Sequence, residues 1–154
     1  MFGRRHFIAT SLLTAGALAA PGRADEPEIL SLRGRVVCLT EELQKTYQFT
    51  PSCDERGHLY ALKTPEGKLY PFLPVDTAAA VWMDDRYRTR DLQISARLLA
   101  QTSFIEVIKF QSWTNGKLHD LDYYCDVCAI STHKPGPCDC CQDPVVFREL
   151  PAKS

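Results

Sequence analysis

The stretch "SFIEVIKFQSWTNGKLHDLDYYC", residues 103 to 125, constrains the fold more than any other part of the chain. Asn115-Gly116 is the pair that a tight two-residue turn asks for, and β-branched and aromatic residues flank it on both sides, so the chain must double back as a hairpin. The second strand of that hairpin runs directly into Cys125. Whatever the cysteines do, a strand holds one side of them.

The rest of the chain repeats the pattern. In "ILSLRGRVVCL" apolar and polar residues alternate, with Leu30, Leu32 and Val36 on one side, and Gly34 predicts a bulge or a close backbone approach. "HLYALKTPEGKLYPFLP" gives two short strands around the turn Thr64-Pro65-Glu66-Gly67. "RTRDLQISARLLA" places Leu92, Ile94, Ala96 and Leu98 on one face. Between them, Asp76 is the expected cap of a short helix through "TAAAVWMDD", and the polar stretch from Thr40 to Gly57 reads as a loop with a helical turn after Thr40. Five or six short strands with little helix predict a mainly β domain. The architecture that fits is a small Greek-key barrel of the oligonucleotide/oligosaccharide-binding (OB) type with a short helix, and a small sandwich is its competitor.

The first residues, "MFGRRHFIATSLLTAGALAAPGRADEP", have a basic start, an apolar run too short to span a bilayer with ease, and a small-residue tail. Within them Arg4, Arg5, Phe7 and Ile8 resemble the twin-arginine signal, although Gly3 and Ala9 depart from its usual residues. The resemblance implies passage through the twin-arginine translocase, a route for proteins that fold and load cofactors before export, and a periplasmic or secreted destination. A signal over residues 1–24, the OB-like domain over 25–124 and a Cys-rich tail over 125–154 form the expected organisation; this layout resembles exported bacterial small β-barrel proteins, and the resemblance brings no activity with it. A cut after Ala24 removes three of the 18 basic residues and none of the 19 acidic ones, leaving 130 residues of net charge −4. Such a chain is suited to neither nucleic acid nor, once the signal is removed, a membrane.

Five of the seven cysteines fall within the span Cys125-x2-Cys128-x9-Cys138-x-Cys140-Cys141. Two cysteines two residues apart can aim both sulfurs at one ion while turn amides support the thiolates. The link "AISTHKPGP" carries Pro135-Gly136-Pro137, which reverses the chain and returns the second group to the first. Cys125, Cys128, Cys138 and Cys140, with Cys141 as substitute and His133 able to replace one thiolate, predict a tetrahedral site. Zinc is the least demanding occupant, and copper or an iron–sulfur cluster also suits soft sulfur ligands. The link is shorter than the about 15 to 20 residues of common zinc ribbons. The alternative is a disulfide-stapled binding module for a protein or carbohydrate partner, in which Cys38 and Cys53 can pair. A third reading makes Cys125-Asp126-Val127-Cys128 a redox pair or a copper-handling site; a strand rather than a helix N-terminus leads into it, and Asp126 works against a low thiol pKa.

Other chemistry is sparse. Asp84, Asp85, Asp120 and Asp122 lack an accompanying histidine or nucleophile motif, and Asp84 and Asp85 beside Arg86, Arg88 and Arg90 read as a solvated, salt-bridged surface. His58 and His119 read as exposed, with His119 an extra ligand if the last strand lies against the cluster. Tyr123, Tyr124, Trp113, Phe110, Tyr60 and Tyr70 suit a stacking platform or, more simply, a core. No phosphate loop, nucleophile elbow or metalloprotease helix is present in the sequence. The reading is therefore an exported, non-catalytic metal-binding domain.

Overall fold

The structure is a computed structural model, and it describes residues 27–50 and 57–153. The expected signal segment and Cys53 lie outside these residues. Among them, eight antiparallel strands form one sheet: β1 (Ile29–Cys38), β2 (Tyr60–Lys63), β3 (Leu69–Pro71), β4 (Leu92–Leu98), β5 (Ile105–Thr114), β6 (Lys117–Cys125), β7 (Ile130–Thr132) and β8 (Val146–Pro151). The order across the sheet is β3-β2-β1-β4-β5-β6-β7, and β8 also pairs with β6.

The long first strand serves two neighbours because of one glycine. Residues Ile29 to Gly34 pair with β4, and Arg35 to Cys38 pair with β2. At the handover a Cβ on Gly34 would stand 2.3 Å from the carbonyl oxygen of Lys63. The close approach read from the sequence is thus a steric requirement for a residue without a side chain. Both expected hairpins are present. Thr64 and Lys68 close the β2–β3 turn with Gly67 at φ 84°, and Asn115 and Gly116 turn β5 into β6 at φ 53° and 72°.

The sheet is not closed into a barrel. The end of β3 touches the start of β5 through a single parallel bridge, Phe72 to Ile105, reinforced by the Leu73 N–H donating to the Ile105 carbonyl at 3.0 Å. The interior is filled by Leu62, Phe72, Val81, Leu92, Ile94, Ile105 and Val107, all at most 1% exposed. A run of aromatic contacts through Tyr60, Trp82, Phe72, Phe110, Tyr87, Tyr123 and Phe147 links the two ends of the sheet. Tyr60, Tyr70, Phe110 and Tyr123 are therefore core residues rather than a stacking platform.

Three expectations are corrected. The stretch after Cys38 is a nine-residue helix, α1 (Leu39–Tyr47), rather than a loop with one turn; Leu39 is buried, Glu41 and Glu42 sit in its positive first turn, and Glu42 accepts hydrogen bonds from Lys45 and Lys63. Asp76 caps nothing with its side chain: a 3₁₀ turn at Asp76–Ala78 leads into α2 (Ala80–Met83), and Asp84 caps α3 (Asp85–Thr89) by accepting from the Arg86 N–H at 2.9 Å. Finally, the Cys-rich tail contributes strands of its own. Its two strands, β7 and β8, extend the sheet around β6 and raise the strand number above the expected six.

Candidate metal centre

Cys125 is the last residue of β6, so the sheet fixes its position; it pairs with Ile130 of β7. The chain turns at once, Ala129 takes the left-handed conformation at φ 55°, and the Cys128 N–H points at the Cys125 sulfur at 3.5 Å. Strand β7 then runs back along β6, and Gly136 at φ 134° reverses the chain. Backbone hydrogen bonds from Val145 N–H to Gly136 C=O and from Cys138 N–H to Asp143 C=O close a second small loop that presents Cys138 and Cys141. This loop repeats the first: two residues separate its cysteines, and Gln142, directly after the second one, is left-handed at φ 65°.

The sulfurs of Cys125, Cys128, Cys138 and Cys141 all lie within 4.8 Å of one another. Around a tetrahedral ion with metal–sulfur bonds of about 2.3 Å, sulfurs are separated by roughly 3.8 Å, so four thiolates need only small movements to close on one ion. Cys125 and Cys138 are buried, and Cys128 and Cys141 are half-buried. The Cys125 and Cys141 sulfurs are 3.4 Å apart, well beyond the about 2.05 Å of a disulfide, and none of the five tail cysteines is bonded to another.

The electrostatics suit a cation. The backbone N–H groups of Cys141 and Cys140 donate to the Cys138 sulfur and hold its pKa down to about 7 despite burial. The Cys128 thiol, beside Cys140 and Cys141, is pushed up. Cys141 accepts from the backbone of Asp143, which favours its thiolate, yet burial and the Cys125 thiol raise it overall. Four sulfurs packed together cannot all carry charge without a counterion. A divalent ion removes that conflict, because metal binding displaces the thiol protons.

Of the predicted ligands, the geometry gathers Cys125, Cys128, Cys138 and Cys141. Cys140 is exposed and stays outside the set of four, although its thiol stands beside that of Cys128. His133 and His119 do not join the set either; His119 lies at the far end of β6, with Nδ1 3.2 Å from the Lys117 carbonyl. The overlooked signal was the second Cys-x2-Cys spacing, Cys138 to Cys141, which the adjacency of Cys140 obscured.

The carboxylates are structural. Asp84, expected at a solvated surface, has a side chain only 9% exposed. It accepts from Arg86 and, at 2.5 Å, from the Tyr123 hydroxyl, and these bonds outweigh burial and hold its pKa down to about 2. Asp122 pairs with Arg148, and Asp120 with Lys109 and Gln111. Glu149 of β8 accepts from Arg90, Ser112 and Thr114 and fastens the last strand across the sheet. Among the described residues no helix is long and apolar enough to cross a membrane. Comparison with protein-family models, with curated proteins and with solved structures finds no match to this chain.

Proposed function

We propose that this chain is an exported, non-catalytic metal-binding protein in which Cys125, Cys128, Cys138 and Cys141 hold one zinc ion and so lock the C-terminal strands onto an OB-like domain. One observation carries the reading: two Cys-x2-Cys turns of like backbone geometry bring four sulfurs within 4.8 Å of one another. Zinc is preferred because four thiolates in a closed, largely buried set with N–H···S support satisfy its tetrahedral preference and leave no open coordination position. Copper and an iron–sulfur cluster remain chemical competitors for the same donors. The OB-like description is supported by the β3-β2-β1-β4-β5 order, the glycine handover in β1 and the parallel bridge between β3 and β5. Export is supported by the resemblance of the first residues to a twin-arginine signal.

The test is elemental analysis of the full chain purified without chelator, beside denaturing non-reducing mass spectrometry. About one zinc per chain with free thiols is the expected result. Absence of metal even after zinc addition, with a mass lower by about 2 Da per bridge, would replace this reading with the disulfide-stapled binding module.

A further inference from the structure

The fifth cysteine of the tail has no place among the four donors, yet it is not remote from them. Cys140 lies between Cys138 and Cys141 in the second turn, is exposed, and holds its thiol beside that of Cys128. Cys128 is itself only half-buried, whereas Cys125 and Cys138 are 0% and 1% exposed. The molecule thus sets one accessible non-ligand thiol against one accessible ligand, on the solvent side of the site.

We propose that Cys140 is a modification site for hydroperoxides, and that its oxidation captures Cys128 in a disulfide and releases the metal. This inference rests on the metal reading above. The Cys140 thiolate attacks one oxygen of the peroxide, the O–O bond breaks, and Cys140 becomes a sulfenic acid as hydroxide leaves. Cys128 then attacks that sulfur, the S–O bond breaks, and a second hydroxide leaves as the disulfide forms. In sum, the Cys140 thiol, the Cys128 thiolate, one hydrogen peroxide and one proton give one disulfide and two waters. Two electrons pass from the sulfurs to the peroxide. The ion loses one of four thiolates, and its remaining ligands take up protons as it departs.

The geometry explains why Cys140 reacts first and Cys128 second. A peroxide must reach a sulfur from solvent, and exposure selects Cys140. The resolving thiol must then be adjacent, and the Cys128 sulfur is. Buried Cys125 and Cys138 are shielded from the reagent, and as metal ligands their lone pairs are engaged.

The experiment uses the zinc-loaded full chain and hydrogen peroxide as the probe. Zinc release is followed with a chromogenic chelator and disulfides are assigned by peptide mapping, in the unaltered protein and in Cys140→Ser. Zinc content is measured first in both. If neither holds zinc, the metal reading fails and this proposal falls with it. With one zinc in each, the proposal requires one Cys128–Cys140 disulfide per zinc released, and release about tenfold slower in C140S. Equal release rates in the two proteins, or a disulfide that maps to Cys125 and Cys141, would overturn the peroxide site while leaving the metal site standing.

Discussion

Replacing Glu149 with Gln removes a charge but little volume, and the structure sets the size of the effect. The Glu149 side chain is 22% exposed. Burial alone would raise its pKa, but hydrogen bonds from Arg90, Ser112 and Thr114 favour the charged form and bring it from 4.5 down to about 2. That lowering corresponds to about 3 kcal/mol of stability at neutral pH, reduced toward about 2 kcal/mol by residual solvent screening. The sign follows from linkage. The folded-state pKa is depressed, so this stability is fully present above pH 4.5 and is lost as the pH falls through 4.5 toward 2. Glu149→Gln should therefore unfold at a urea midpoint about 1 M lower at pH 7, given a slope of about 2 kcal/mol per M for a domain of this size. The difference should shrink as the pH falls from 4.5, and the two proteins should converge only as the pH approaches 2. A midpoint difference that stays constant from pH 7 to pH 2, or one that is absent at pH 7, would refute the account of Glu149 as a charged fastener of β8.

Three further substitutions test separate links. Gly34→Ala must push β1 and β2 apart, since the new methyl would stand 2.3 Å from the Lys63 carbonyl oxygen, and a loss of about 2 to 3 kcal/mol in urea unfolding is expected. Tyr123→Phe removes the hydroxyl donor to Asp84 and should cost about 1 to 2 kcal/mol; in the unaltered protein, ultraviolet titration should find two tyrosines, Tyr87 and Tyr123, that ionise well above pH 10, and one fewer in the variant. Cys141→Ser should abolish zinc stoichiometry while Cys140→Ser preserves it, and the reverse result would transfer the fourth ligand position to Cys140.

Local signals predicted local structure well. Alternation located β1 and β4, the Asn115-Gly116 pair located β5 and β6, and both turn sequences formed the hairpins they imply, because a tight turn with left-handed backbone leaves few other options. Gly34 was recognisable as a close approach, but its partner, the Lys63 carbonyl, was not, since nothing local in β1 encodes where β2 arrives. Helix α1 was missed because its stabilisation comes from buried Leu39 and from Lys63, 21 residues away from Glu42, rather than from a strong apolar period. Asp84 read as surface because its neighbours are arginines; its burial comes from Tyr123, on a strand 39 residues later. The tail read as a knuckle alone because β7 and β8 are short and weakly patterned, and they become strands only when β6 offers both its edges.

That arrangement makes one last outcome calculable in kind. Strand β8 is held toward its far end by Glu149 and preceded, five residues before its first residue, by Cys141 of the proposed metal site. Each fastener alone limits the loop that must be closed to bring β8 back to β6, so loss of either leaves the other to keep the pairing local. Loss of both frees the strand at two points, and its release then costs only the six-residue ladder from His119–Pro151 to Tyr124–Val146. The two perturbations should therefore be non-additive. Amide hydrogen exchange over residues 146 to 151 should remain slow in zinc-loaded Glu149→Gln and in chelated unaltered protein, and become fast in chelated Glu149→Gln. Exchange effects in the double case that are merely the sum of the single ones would mean that the metal site and Glu149 stabilise the sheet independently, and that the cluster orders its own loops without holding the strand.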